Sequence, residues 1–136
     1  MAALREVHLS GKARYVGVSN FDVGYLEEAR KYYPIQANEV DYNILDQAAG
    51  QEILPYCLRN QIGVVIHSPL ATGLLAGRWR PGHVFAPDDL RHQSPRLQGE
   101  TFGHFLELAN ELARLAYQRG ITPIHQAIAG SCRIRQ

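Results

Sequence analysis

Cysteine is scarce in this chain, since Cys57 and Cys132 are the only two among 136 residues. They lie far apart and outside any Cys-x-x-Cys pattern, which excludes a disulfide framework and a thiolate zinc site. The six histidines show neither His-x-x-x-His spacing nor pairing with cysteine, so we expect no metal site. Scarce cysteine favours a cytoplasmic protein.

An excess of charge and a long apolar run are also lacking. The 14 basic and 13 acidic side chains give a formal net charge of +1 and are scattered along the chain. This excludes the electrostatic footprint of a nucleic-acid-binding protein. No run approaches the roughly 18 apolar residues of a membrane span, and Arg5 and Glu6 interrupt any signal-peptide core. We therefore expect neither nucleic-acid binding nor membrane insertion.

What the sequence does contain is an alternation of helical and strand patterns. Residues 62–66 form the clearest strand, a continuous apolar run typical of a covered parallel strand. Asp22 is a predicted helix N-cap, Gly11 and Gly120 are predicted helix ends, and Pro55 is expected in the first turn of its helix. The predicted strands span 14–18, 35–40 and 62–66, and the predicted helices span 2–10, 22–33, about 50–60, 100–119 and 123–129.

The second half of the chain carries three further signals. The segment 68–99 is rich in Gly, Pro and Arg and is too long for a simple connection, so we interpret it as an active-site cover. The helix after it places Phe105, Leu108, Leu112 and Leu115 on one face. Gly130 is expected to interrupt the last helix and leave residues 131–136 as an aperiodic tail.

These elements predict an α/β fold. An eightfold barrel of about 250 residues uses roughly 31 residues for each βα unit, so 136 residues supply about half of the units. We therefore expect residues 1–136 to form a single incomplete domain, a partial (β/α)8 TIM barrel that cannot close alone.

Ser19 and Asn20 end the first strand, where small polar residues are placed to bind ligands. They offer a hydroxyl, an amide donor pair and a carbonyl acceptor, a set suited to a planar amide. An ordinary strand-to-helix turn explains the same pair. A serine nucleophile elbow is excluded, because Phe21 stands where the second glycine is needed.

Ser68, Leu70, Thr72 and Gly73 follow the third strand, where hydroxyls and backbone amides can meet a pyrophosphate. The segment matches neither a P-loop nor a Rossmann fingerprint, so an ordinary βα loop is an equal alternative. His67, just before it, is placed to stack on a ring or to titrate.

Glu39 and Asp41 alternate on one face of the second strand. They form a candidate carboxylate pair, and solvated charges at a strand end explain them equally well.

Taken together and in order, four segments resemble the aldo-keto reductase family. Residues 11–21 (GKARYVGVSNF) resemble its fifth strand, residues 38–43 (NEVDYN) its sixth, and residues 63–75 (GVVIHSPLATGLL) its seventh strand and phosphate loop. Residues 120–123 (GITP) resemble the start of the next helix. The match extends to about Gly130.

The resemblance implies an NADP(H)-dependent oxidoreductase that transfers hydride between the cofactor and a small-molecule carbonyl or alcohol. It implies that Ser19 and Asn20 hold the nicotinamide carboxamide and that the ring before Ser68 stacks on the nicotinamide. Two positions depart from the family pattern: His67 replaces a large aromatic residue, and Glu39 replaces a glutamine. The implied cofactor-binding residues are Ser19, Asn20, Glu39, His67, Ser68, Leu70 and Thr72.

The family's catalytic aspartate, tyrosine, lysine and histidine belong to the first four strands, which the resemblance does not cover, so we expect no catalytic residue and negligible reductase activity here. Two other hypotheses remain open. Open sheet edges favour a half-barrel interaction module that pairs with itself or with a partner half. A truncated gene remnant without independent activity is the third reading.

Overall fold

The computed structural model describes residues 1–132. These residues form two compact units. The first unit comprises residues 1–42 and 46–67, and the second comprises residues 43–45 and 68–132.

The first unit is a parallel sheet with three helices. Strands β1, β2 and β3 lie in that order, and each pairs in parallel with its neighbour. A short 3-10 turn at Ala48–Gly50 precedes the third helix. The strands are Gly17–Ser19 (β1), Ala37–Asp41 (β2) and Gly63–His67 (β3), and the helices are Ala2–Leu9 (α1), Val23–Arg30 (α2) and Ile53–Arg59 (α3).

Local signals set the ends of these helices. The Asp22 carboxylate accepts a hydrogen bond from the backbone N–H of Tyr25 at 2.8 Å, so the predicted N-cap is confirmed. Gly11 has φ +74° after α1, and Pro55 lies in the first turn of α3, both as predicted. Helix α2 ends at Arg30, three residues earlier than expected, and Lys31 is its C-cap.

The two faces of the sheet differ. Val18 and Val64 pack with Leu26 of α2 and Cys57 of α3, and Val40 lies in an adjoining cluster with Leu54. The opposite face carries exposed residues, including Val65, which is 53% exposed. The prediction that the third strand is covered on both faces is therefore wrong for the described structure, since one face of β3 is open.

The second unit is built on two helices, Gly99–Gln118 (α4) and Pro123–Cys132 (α5). Gly120 ends α4 with φ +68°, as predicted, and the Thr122 hydroxyl accepts from the N–H of His125 at the start of α5. The segment before α4 contains 3-10 turns at Ala71–Ala76, Leu90–Gln93 and Pro95–Leu97.

The long segment 68–99 contributes to its own hydrophobic core. Trp79 and Phe85 are 8% and 6% exposed and pack edge-to-face with ring centroids 4.9 Å apart, and Phe102 of α4 joins them. Arg91 lies over both the Trp79 and Phe85 rings and pairs with Asp89. The segment is therefore packed, and its role as an active-site cover stays a prediction.

The buried stripe of α4 is not the one that the large apolar side chains predicted. Leu108 is 44% exposed, and Phe105, Leu112 and Leu115 are only half-buried. Alanines allow a closer approach to α5 and the preceding segment, so the core stripe lies one position to the side. Its buried members are Phe102, Leu106, Ala109, Ala113 and Ala116.

Helix α5 continues through Gly130, so the predicted break there is wrong. A Cβ atom at Gly130 would lie 2.5 Å from Cδ1 of Ile44, and the glycine therefore allows close packing instead of ending the helix. Ser131 is helical and buried, which also contradicts a tail starting at 131. The remainder of that predicted tail, residues 133–136, lies outside the described residues. Within residues 1–132, none of the helices is long and apolar enough to cross a membrane.

Candidate cofactor site

The first unit places Ser19 and Asn20 at the carboxyl edge of its sheet. Asn20 has φ +56°, a left-handed conformation that asparagine tolerates better than most residues. Its backbone N–H donates to the carbonyl oxygen of Glu39 at 2.7 Å, which carries the strand pairing one residue past β1. The predicted strand end is therefore a sharp turn that projects the Asn20 side chain outward.

The Asn20 amide joins the first strand to the third. Its Nδ2 lies 3.4 Å from Oγ of Ser19, and its Oδ1 accepts a hydrogen bond from Nε2 of His67 at 3.0 Å. Since β2 lies between β1 and β3, this chain of side chains crosses the middle strand at the edge of the sheet. The structure thus brings together Ser19, Asn20 and His67, three residues that the family resemblance assigns to one site.

Asn38 anchors this turn from the buried face, and the sequence analysis missed it. The side chain is fully buried, its Nδ2 donates to the carbonyl oxygen of Phe21 at 2.8 Å, and its Oδ1 lies 3.4 Å from the Phe21 backbone nitrogen. It satisfies two backbone groups that have left the strand ladder. An asparagine two residues before Val40, on the strand face that carries this apolar side chain, is the signal that could have revealed it.

Glu39 and Asp41 lie on the open face of β2, as the alternation predicted. Glu39 is in register with Ser19 on one side and with Val65 on the other, and all three are exposed. Asp41 is in register with His67. The first unit therefore presents two carboxylates on the face and edge that carry the Ser19 and Asn20 side chains.

These side chains can still bind an external amide after their internal bonds are counted. An asparagine amide has two donor hydrogens and a carbonyl oxygen with two lone pairs. The contacts with Ser19 and His67 use one of each, so Asn20 retains one N–H and one lone pair. A nicotinamide carboxamide needs one acceptor and one donor, so the donor set fits that group.

Ser68, Leu70 and Thr72 lie in a tight turn of the second unit. Ser68, Ala71, Thr72 and Gly73 have φ of +57°, +47°, +56° and +101°. The Ser68 carbonyl oxygen accepts from the N–H of Ala71 at 2.9 Å and from Nδ2 of the buried Asn43 at 3.3 Å. Turns that combine right- and left-handed residues orient successive N–H groups into anion-binding concavities.

The Thr72 hydroxyl is engaged within that turn. It donates to the carbonyl oxygen of Ala71 at 2.7 Å, so it would have to rotate before donating to a phosphate. Leu70 contributes backbone, since its carbonyl oxygen accepts from the N–H groups of Gly73 and Leu75. The turn is therefore shaped mainly by its backbone, and Asn43 is a second buried anchor that sequence reasoning missed.

Known proteins are similar to this chain in sequence and in fold. The model of the aldo/keto reductase family matches residues 1–129. The chain is 32% identical to aldo-keto reductase YhdN of Bacillus subtilis, over 92% of this chain and 38% of that protein. It is 30% identical to aldo-keto reductase yakc, named with NADP(+), of Schizosaccharomyces pombe, over 95% of this chain and 39% of that protein.

Solved structures give the same result. The glycerol dehydrogenase of Gluconobacter oxydans superposes with a TM-score of 0.85 at 31% identity, over 91% of this chain and 38% of that one. An aldo/keto reductase of Klebsiella pneumoniae, solved with NADP and acetate, shares the fold with a TM-score of 0.63 at 24% identity. It is matched over 99% of this chain and 39% of its own.

The chain thus spans 38% and 39% of the lengths of the two curated relatives. The match to the Gluconobacter oxydans structure confirms the predicted α/β fold, with part of the parallel sheet of a TIM barrel. With the family model matching nearly all of the sequence, the chain belongs to the aldo/keto reductase family.

Proposed function

We propose that this chain supplies the nicotinamide-binding and pyrophosphate-binding surfaces of an NADP(H)-dependent aldo-keto reductase that acts on a small-molecule carbonyl. Ser19, Asn20, Glu39 and His67 form the nicotinamide-binding surface in the first unit. The bound cofactor supplies the hydride, and the protein contributes binding and orientation. None of the residues of this chain is assigned the role of proton donor, so we expect negligible reductase activity from it alone.

The observation that carries this proposal is the state of Asn20. A left-handed residue at a strand end, with both ends of its amide held by Ser19 and His67, is an oriented pair of hydrogen-bonding groups. A residue that served only the turn would need the left-handed backbone conformation alone. It would not need a side-chain hydrogen bond to β3, which is separated from β1 by β2. The remaining N–H and lone pair of Asn20 match the carboxamide of a nicotinamide ring.

The turn of the second unit supports the pyrophosphate assignment. Ser68, Leu70 and Thr72 lie in a turn that combines left-handed residues with Leu70 at φ −101°, and turns of this mixed kind form anion-binding concavities. Two relatives support the identity of the cofactor, since one is named with NADP(+) and another was solved with NADP. Scarce cysteine supports a cytoplasmic location.

A fluorescence titration of the purified 136-residue chain with NADPH tests the proposal. The chain should bind NADPH saturably, and Asn20→Asp should weaken binding by about tenfold, since a lost hydrogen bond costs about 1 to 2 kcal/mol. Aspartate tolerates the left-handed conformation, so the turn is preserved. Its carboxylate cannot donate a hydrogen bond, so only the donor is lost. The matched control is Asn110→Asp at an exposed position of α4, which should bind like the wild type. Absence of saturable binding by the wild-type chain would overturn the proposal.

A further inference from the structure

Glu39 brings a full negative charge to the proposed nicotinamide-binding surface. It lies on the open face of β2, in register with Ser19, and its carbonyl oxygen accepts the N–H of Asn20. Asn38 and Val40, its neighbours along the strand, are 0% and 1% exposed, so the alternation of the strand directs Glu39 to the opposite face. An ionised carboxylate only accepts hydrogen bonds, whereas a neutral amide both donates and accepts them. Glu39 therefore cannot donate a hydrogen bond to the cofactor.

The two redox forms of a nicotinamide differ in charge at the ring. The oxidised ring is a pyridinium cation and the reduced dihydronicotinamide is neutral, while the phosphates are the same in both. A carboxylate near the ring therefore attracts only the oxidised form through Coulomb forces. A neutral side chain of the same shape, such as glutamine, has no such preference.

We propose that Glu39 is a specificity-determining residue that makes this site prefer the oxidised over the reduced nicotinamide cofactor. The inference rests on the proposed function and deepens it. Tighter binding of the oxidised form stabilises the product side of carbonyl reduction while the cofactor stays bound. In that direction hydride leaves the neutral dihydronicotinamide for the carbonyl carbon, the ring becomes a pyridinium cation, and the resulting alkoxide takes a proton from an acid.

The charges around Glu39 reinforce this reading. Asp41 lies on the same face of β2 and adds a second negative charge at the edge of the sheet. The imidazole of His67 on β3 lies on this face in register with Asp41. The comparison of variants is therefore made at one fixed pH.

Isothermal titration calorimetry with NADP+ and with NADPH measures the preference as a ratio of dissociation constants. Phosphate contacts cancel in this ratio, which isolates the ring charge. We expect Glu39→Gln to shift the ratio towards NADPH by about threefold to tenfold, the size expected for a partly screened charge pair. Glu39→Asp should retain most of the preference because it keeps the carboxylate. The matched control is Glu27→Gln. Glu27 is an exposed residue of α2, and this helix packs through Leu26 on the covered face of the sheet, opposite to the face that carries Glu39.

The outcomes separate the two proposals. A shift with Glu39→Gln but not with Glu27→Gln supports the role of Glu39. Binding of both cofactor forms with an unchanged ratio in Glu39→Gln overturns this inference and leaves the proposed function standing. Failure of the wild-type chain to bind either form overturns the proposed function and this inference with it. Circular dichroism of each variant confirms that the fold is retained.

Discussion

Nε2 of His67 donates a hydrogen bond to Oδ1 of Asn20 at 3.0 Å, across a sheet in which their strands are separated by β2. This bond fixes which end of the Asn20 amide faces Ser19. A tyrosine or another large aromatic at position 67, the residue that the family resemblance implies, would present a different group to Asn20. His67 therefore orients the Asn20 side chain, and the stacking of its ring on a nicotinamide stays a prediction.

The His67 and Asn20 side chains should show measurable coupling. In a double-mutant cycle, His67→Phe keeps an aromatic ring at position 67 and Asn20→Gly keeps the positive φ at position 20. We expect a coupling free energy of about 0.5 to 1 kcal/mol between the two positions, measured by urea denaturation. The value is small because the bond is exposed to solvent. Strict additivity of the two single effects would contradict the bond.

The buried Asn38 side chain should contribute strongly to the stability of the first unit. Asn38→Ala leaves the N–H and C=O groups of Phe21 without the buried amide, and we expect a loss of about 2 to 3 kcal/mol in the free energy of unfolding. Urea denaturation followed by circular dichroism measures it. The control Asn110→Ala, at an exposed site of α4, should change stability by less than about 0.5 kcal/mol, and equal effects of the two would contradict the anchoring role.

Gly130 should not tolerate a methyl group. Gly130→Ala places a Cβ atom 2.5 Å from Cδ1 and 2.9 Å from Cγ1 of Ile44, so we expect a loss of about 1 to 3 kcal/mol from overpacking. Gly103→Ala is the matched control, because it lies within α4 with open space around it and should stabilise by about 0.5 to 1 kcal/mol. Urea denaturation followed by Trp79 fluorescence measures both.

Ile44→Val removes the Cδ1 atom and should restore part of the stability of Gly130→Ala. Without this rescue, the Ile44 contact would not be the reason for glycine in α5.

The Asp89 and Arg91 pair should give the second unit an acid-dependent component of stability. Hydrogen bonds from the Arg91 side chain lower the pKa of Asp89 from 3.8 to about 2. Because the folded pKa is depressed, this stabilisation is present above pH 3.8 and is lost as the pH falls through about 2. Asp89→Asn should remove that acid transition from the fluorescence of Trp79, the only tryptophan in the chain.

The adjacent Asp88→Asn serves as the control for that titration, because Asp88 is exposed at the preceding position. It should retain the wild-type acid transition. A transition that is the same in wild type, Asp88→Asn and Asp89→Asn would assign it to another group.

The sequence predicted the features of this fold that arise from local chemistry. Asp22 as an N-cap and Gly11 and Gly120 as helix ends depend on a few adjacent residues, and all three are confirmed. The roles of Gly130 and Asn38 depend on contacts with residues distant in sequence, Ile44 and Phe21. Because these partners are distant in sequence, a helix break was predicted at Gly130 and the anchoring role of Asn38 was missed.

The candidate site divides in the same way. A polar strand end was visible in the sequence, and the structure confirms that Ser19, Asn20 and His67 lie together. The left-handed conformation of Asn20 and the direction of its amide were not predictable, because they follow from pairing with Glu39 and from the bond to His67. The binding roles of all seven proposed residues stay predictions.

Nuclear magnetic resonance of the 15N-labelled chain tests the central claim most directly, because it locates the bound nicotinamide residue by residue. Titration with NADPH should shift the backbone signals of Ser19 and His67 and the side-chain amide of Asn20. ADP-ribose, which has the pyrophosphate but no nicotinamide, should shift only the turn at residues 68–73. Shifts of Ser19, Asn20 and His67 with NADPH alone are the predicted result. Unchanged signals at these residues under saturating NADPH, or equal shifts with both ligands, would contradict the nicotinamide assignment.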